Sequence, residues 1–211
     1  MTRTLSRVGA LVAALMCFGL QAQDTAPDVL VKNVTTEVVD LIVKDKDIRS
    51  GSRAKLIEVI ETKVLPHFNF NSMTALAMGQ NWSKATPEQK KRLVQEFRIL
   101  LVRTYASALA AYSEQRFDFR PLRARPTDTD VTVNVRVIQS GAQPVPIDYS
   151  MEKTAAGWKV YDLMVGGVSL VANYRTEFNS TVREAGIEGL IKNLQAKNRS
   201  TEAPPPPAEK K

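Results

Sequence analysis

Apolar residues first recur at helical spacing at Leu30, Val34, Val38 and Leu41, with Val31 and Ile42 beside them. That pattern predicts a helix opened by Pro27 and closed near residues 44–47. Ser50-Gly51-Ser52 breaks the chain, and Ser52 is placed to cap a second helix marked by Leu56, Ile60 and Val64 and stopped at Pro66. A short helix follows over residues 71–78, with Met73, Leu76 and Ala77 inward, Gly79 as its cap and Trp82 sealing the corner. Thr86-Pro87-Glu88-Gln89 is a strong helix start: threonine caps, proline takes the first position and glutamine completes a capping box. The long helix from there to about Tyr112 carries Leu93, Phe97, Leu100, Leu101, Tyr105, Ala108 and Tyr112 as its buried stripe.

After Glu114 the period changes from 3.6 to 2. Arg116–Pro121 places Phe117 and Phe119 on one face. Val131, Val133, Val135 and Val137 alternate with polar residues. Ile147, Tyr149 and Met151 alternate with Asp148, Ser150 and Glu152, and Trp158–Val165 is the last strand. Short turns at Gly141 and Ala155-Ala156-Gly157 predict an antiparallel meander of four strands. Gly166-Gly167 reads as a strand-to-helix corner. The closing helix then carries Val171, Tyr174, Phe178 and Val182, stops at Gly186, and is followed by a short helix with Ile187, Leu190, Ile191 and Leu194. Helices, then an antiparallel sheet, then helices predict an α+β domain with helices packed on one face of a curved sheet.

The ends of the chain alter this picture. Arg3 and Arg7 precede an apolar run from Val8 to Leu20, with Ala22 at a small-residue cleavage position. Residues 1–22 therefore read as a secretory signal peptide, too short to span a bilayer. Cys17, the single cysteine, falls within it, so a mature chain has no disulfide to form. Losing two arginines lowers the formal charge from +7 to +5, a mild excess that suits an anionic surface and equally suits simple solubility. The export signal and the lack of a basic-aromatic stripe disfavour nucleic acid. Residues 23–197 form the folded domain, and 198–211, with four prolines, read as a disordered tail.

The chain offers no enzyme signature. His67 stands alone beside Pro66 and Phe68 with no cysteine to partner it. Asp118 and Asp148 fall on solvated strand positions. Asp162 sits inside an apolar run, where a capping or sheet-edge hydrogen bond is expected. Gly166-Gly167-Val168-Ser169 is neither a phosphate loop nor a nucleophile elbow. No metal-ligand spacing occurs, and neither a metal nor a cofactor is expected. On the residues alone, the apolar positions read as core before they read as a ligand cavity.

Tyr161-Asp162, Gly167-Val168-Ser169-Leu170-Val171 and Asn173-Tyr174-Arg175, with VLPHFNFNSMTALAMGQNW and the TPEQKKRLVQEFRILLVRTYASAL helix, resemble the MlaC or toluene-tolerance (Ttg2-type) family of periplasmic phospholipid-binding proteins. The resemblance covers residues 24–197. One departure is Phe68-Asn69-Phe70, where family members often carry Phe-Asp-Phe. It implies an NTF2-like mixed fold with an internal apolar cavity, closed by the C-terminal helices. It also implies a periplasmic role as carrier: glycerophospholipid moves between an outer-membrane lipoprotein complex (MlaA-like) and an inner-membrane ABC transporter complex with an MCE protein (MlaD-like), preserving outer-membrane lipid asymmetry. A monomer is expected. The competing classes are a small-ligand enzyme, with His67 or an aspartate as base, and an adaptor with a filled core.

Strand alternation then selects the cavity walls. Val133, Val135, Tyr149 and Met151 are the inward candidates of the middle strands. From the last strand, Tyr161, Leu163 and Val165 are preferred over the Trp158/Val160/Met164 face, which shares its side with Asp162. Val168 and Val171 of the closing segment and Phe97, Leu101 and Tyr105 of the long helix complete the expected lipid-binding set.

Overall fold

The structure is a computed structural model that describes residues 25–110 and 115–200. The signal segment 1–22, the proline-rich segment past Ser200, Tyr112 and the side chain of Ala108 lie outside what is described. Three helices open the fold: α1 (Pro27–Lys44), α2 (Lys46–Arg49) and α3 (Arg53–Val59). Asp45 caps α2 by accepting the backbone N–H groups of Asp47 and Ile48, and Ser52 caps α3 through Lys55. Past Val59 the winding loosens into a π-helical turn, Ile60–Val64, and then tightens into a 3₁₀ turn, Leu65–His67. This departs from the single helix expected up to Pro66. Pro66 itself is in the 3₁₀ turn rather than after the stop.

Asn69 caps α4 (Phe70–Met78) by accepting from the backbone of Asn71 and Ser72. On α4, Met73 and Ala77 are buried, while Leu76 is exposed rather than inward. The capping box of α5 (Pro87–Ala110) forms in both directions: Gln89 N donates to Thr86 Oγ1 at 3.2 Å, and Thr86 N donates to Gln89 Oε1 at 3.0 Å. The reciprocal pair satisfies two backbone donors that a helix start otherwise leaves open.

Among the described residues the sheet has five antiparallel strands in sequential order, one more than expected. They are β1 (Arg116–Phe119), β2 (Asp130–Ile138), β3 (Val145–Thr154), β4 (Gly157–Val165) and β5 (Val168–Ser169). The extra strand comes from Gly166 and Gly167. Both have positive φ, 61° and 86°, as a two-residue hairpin turn of the type favoured by strand twist requires. The chain therefore reverses, pairing Val168 with Val165 and Ser169 with Met164, before any helix begins. What reads as a strand-to-helix corner is a tight hairpin.

Ser169 then caps α6 (Leu170–Arg199), its Oγ accepting from Ala172 N at 2.9 Å. Gly186, at φ 69° and ψ −179°, kinks α6 at the expected break. The helix nevertheless continues through Asn198 and Arg199, past the point where the tail was expected to start.

Among the described residues three hydrophobic clusters form. One joins α4, α5 and α6, where Phe97 meets Tyr174 and Phe178 edge-on at 5.0 and 5.1 Å between ring centres. A second lies on the inner face of the sheet with Val31 of α1. The third joins α1, α2, α3 and the π-turn to Ala106 of α5. The space between them is where the site lies.

Candidate lipid-binding cavity

A cavity of about 790 Å³ opens between the three clusters. One wall is α1, whose Leu30, Val31, Val34, Val38 and Val39 face it. The π-turn and the 3₁₀ turn add Ile60, Val64, Leu65 and His67. Phe68, Phe70 and Met73 come from α4 and its approach, with the two phenylalanine rings 6.0 Å apart. The α5 side presents Leu101, Val102, Tyr105 and Ala106, and the sheet supplies the remaining wall.

The sheet wall depends on a one-residue irregularity. Ser150 pairs with Asp162, but Met151 pairs with Val160, so Tyr161 is an extra residue in β4. Such a bulge reverses the alternation of its strand. Val160 therefore faces inward before the bulge, and Leu163 and Val165 face inward after it. The rows Val133–Tyr149–Leu163 and Val135–Ile147–Val165 run across three strands. Simple alternation assigns Tyr161, Leu163 and Val165 to one face, and the bulge separates Tyr161 from the other two.

Seven of the residues selected from sequence line the cavity: Leu101, Tyr105, Tyr149, Met151, Leu163, Val165 and Val168. The other five lie elsewhere. Phe97 and Val171 are buried in the α4–α5–α6 cluster, behind the wall. Val133 and Val135 are buried on the inner face of β2, packed within the sheet cluster. Tyr161 donates its hydroxyl to Asp130 Oδ1 at 3.1 Å. Burial, with Asp130 beside it, pushes the Tyr161 phenol up to about 12. Sequence reasoning missed the α1 wall entirely, although its stripe was legible. Helical spacing shows that a stripe is apolar, not whether it meets core or space.

Few polar groups reach the lining: Thr35, His67, Tyr105, Tyr149 and Asn173. His67 is held below the usual imidazole range, first by burial and then by the Lys159 ammonium. Lys159 Nζ donates to the carbonyl of Pro66 at 2.6 Å. Burial raises the Tyr105 phenol. The strand aspartates are engaged structurally: Asp118 with Arg120 at 3.3 Å, and Asp148 accepting from Asn134 Nδ2 at 2.7 Å. Asn69, besides capping α4, donates from Nδ2 to Glu152 Oε1 at 2.8 Å. An aspartate at that position would keep the cap but not that donor.

Asp162 fastens the rim. Its Oδ1 accepts the N–H of Leu163 at 2.8 Å and of Val171 at 3.1 Å, and its Oδ2 accepts Ser169 Oγ–H at 2.6 Å. One carboxylate thus joins β4, β5 and the first turn of α6. Among the described residues no group of three His, Cys, Asp or Glu side chains is placed to hold a metal ion, and no helix is long and apolar enough to cross a membrane. The arrangement can sequester apolar matter while presenting a few hydroxyls, one amide and one imidazole among the described residues.

Known proteins resemble this chain in sequence and in fold. The family described as MlaC protein matches residues 32–196. The intermembrane phospholipid transport system binding protein MlaC of Haemophilus influenzae is 23% identical over 175 residues, covering 82% of each chain. Toluene tolerance protein ttg2D of Pseudomonas putida is 24% identical over 177 residues, covering 83% of this chain and 81% of its own. A phospholipid-binding protein from Ralstonia solanacearum, solved in complex with a phospholipid, is 37% identical and superposes with a TM-score of 0.76. That match covers 82% of this chain and 97% of the Ralstonia chain. A family match across nearly all of the folded segment and a shared fold at this identity have one meaning: the chain belongs to the MlaC family.

Proposed function

We propose that the protein is a periplasmic phospholipid carrier, not an enzyme. The observation that carries this reading is the cavity of about 790 Å³, walled by aliphatic and aromatic side chains, in a fold shared with a relative solved with a phospholipid. Acyl tails enter the cavity and the headgroup stays near solvent. The helices and curved sheet act as the cone of an NTF2-like fold. The chain works as a monomer, receiving and delivering glycerophospholipid at an outer-membrane lipoprotein complex and an inner-membrane ABC transporter complex with an MCE protein. The name of the Haemophilus relative, an intermembrane phospholipid transport protein, supports that route.

Magnitudes favour a carrier over a tight receptor. Each methylene withdrawn from water is worth about 0.8 kcal/mol, so two tails of roughly thirty methylenes would total on the order of 24 kcal/mol. That exceeds the ceiling of about 21 kcal/mol reached by non-covalent complexes. Water is thus the wrong reference. Transfer from a bilayer to an apolar cavity exchanges one dry environment for another, and loading stays reversible. Solvent extraction and mass spectrometry of the purified protein test the proposal. Stoichiometric phospholipid is expected, and a protein that stays empty after incubation with phospholipid vesicles would overturn it.

A further inference from the structure

A second concavity lies on the outer side of the cavity wall. It is a groove of about 220 Å³ between the α3 arm and α5, bounded by Ile57, Glu61, Arg98, Ile99, Val102 and Arg103. Ile57, Ile99 and Val102 are half-buried, so an aliphatic floor remains open to solvent. Glu61 and Arg98 form an ion pair across it at 3.4 Å.

The groove also has a neighbour along the chain. Arg103 Nη2 donates to the carbonyl of Ser200, the last residue described. Ser200 ends α6, its N–H bonded to Ala196 O and Lys197 O. The residues that follow, Thr201–Lys211, therefore depart from the side chain that bounds one end of the groove. Their sequence is TEAPPPPAEKK.

From this juxtaposition we infer that the groove is the docking site of the chain's own proline-rich segment, residues 201–211. Reach is sufficient. The four residues from Ser200 to Pro204 span about 12 Å in the extended polyproline form. Arg98 and Arg103 are five helical residues apart, about 7.5 Å along α5. Chemistry also matches. Prolyl rings are apolar and their nitrogens carry no N–H, so packing them on an aliphatic floor strands no donor. The segment bears Glu202 and Glu209 before and after the prolines, with Lys210 and Lys211 beyond; the groove bears Arg98, Arg103 and Glu61. Tethering at Ser200 makes the contact intramolecular, where an effective concentration in the millimolar range makes a small surface sufficient.

Docking there would bind the α3 arm to α5. Val102 belongs to both the groove and the cavity, and Ile60 and Val64, which follow Ile57 in the arm, line the cavity.

Photo-cross-linking from the tail tests this. In the full chain with Cys17→Ser, Pro205→Cys is labelled with a photoreactive maleimide, and adducts are mapped by mass spectrometry. Adducts on Ile57, Glu61 or Ile99 within the same chain are expected. Ile57→Asp should reduce them at least fivefold while the far-ultraviolet spectrum is unchanged. Pro204→Ser, Pro206→Ser and Pro207→Ser together should reduce them similarly, leaving the folded domain untouched. Adducts scattered over other surfaces, no adducts, or adducts only between light- and heavy-isotope chains would each overturn the assignment. The last result would give the groove to a neighbouring molecule's tail. None of these outcomes depends on whether lipid is bound.

Discussion

Ser169 Oγ donates to Asp162 Oδ2 at 2.6 Å across the hairpin turn, and the same Oγ accepts the N–H of Ala172 at 2.9 Å. A strand carboxylate thereby orients the hydroxyl that caps the closing helix. Asp162→Ala strands the Leu163 and Val171 N–H groups and frees that hydroxyl. A loss of about 1–3 kcal/mol is expected for a buried donor left unpaired. Ser169→Ala should cost about 1 kcal/mol, the usual worth of a cap. Because the two share one network, the double variant should lose less than the separate losses combined. Urea denaturation of the four proteins measures the cycle, and strict additivity would contradict the relay.

Tyr161 and Leu163 make a paired test of the bulge. Leu163→Glu puts a carboxylate against the apolar cavity, where burying charge is costly. Co-purified phospholipid should fall at least tenfold while the protein remains soluble and folded. Tyr161→Gln, two residues away and outside the cavity, should keep its lipid. Lipid analysis by mass spectrometry reads both, and equal losses would remove the face assignment.

The hairpin turn gives a conformational test. Gly167 holds a φ of 86° with open space around its Cβ position, so a side chain there suffers backbone strain rather than collision. Gly167→Val should lower stability by about 1–2 kcal/mol, the cost of left-handed backbone for an L-residue. It should also slow lipid uptake from vesicles, because β4 and β5 carry Val165 and Val168 of the wall. An unchanged uptake rate would deny the turn any part in setting the angle between the walls.

His67 sets a pH dependence with a definite sign. Its pKa is lower in the fold than in the open chain, so the unfolded state binds the proton more readily. Stability contributed at this site is full above the ordinary imidazole value near 6.5. It declines as pH falls below that value towards the folded pKa. Lys159 opposes protonation and Glu37 favours it. The sole histidine gives one imidazole signal, so an NMR titration reads the shift directly. His67→Gln should flatten the acid-side decline in urea midpoints between pH 7 and pH 5.

Cavity size sets the cargo. At about 790 Å³ the cavity falls within the range of about 300–1,000 Å³ usual for a site that holds one small molecule, so one lipid rather than two is expected to fill it. Native mass spectrometry should find a single two-tailed phospholipid per chain. Two such lipids on one chain would show that the walls separate further than they do here.

Much of the fold was legible because local rules and tertiary packing agree. The capping box at Thr86–Gln89 forms as spelled, and the Val131–Val137 alternation is matched by strict in-and-out burial along β2. The site was less legible for two physical reasons. Alternation holds only until a bulge, and nothing in YDL announces that Tyr161 is the extra residue. Apolar spacing also cannot distinguish filled from unfilled surroundings, so Phe97 and Leu101 looked equivalent although one packs against Tyr174 and the other meets the cavity. The same limit hid α1. Two glycines in succession allow either a corner or a reversal, and only the pairing of Val168 with Val165 makes Gly166-Gly167 a hairpin.

The division of the buried residues into three clusters has a thermodynamic consequence. Among the described residues α1 and the π-turn belong to a different cluster from the Phe97–Tyr174–Phe178 contact, so they lean on a void wherever the cavity is empty, and opening there need not unfold α5 and α6. Cargo that fills the void stabilises only states that keep it enclosed. Amide hydrogen exchange should therefore slow on loading in residues 27–67 and change little along the Phe97–Tyr174–Phe178 contact. A passenger molecule would serve, for as long as it rides, as the missing interior of its own vehicle.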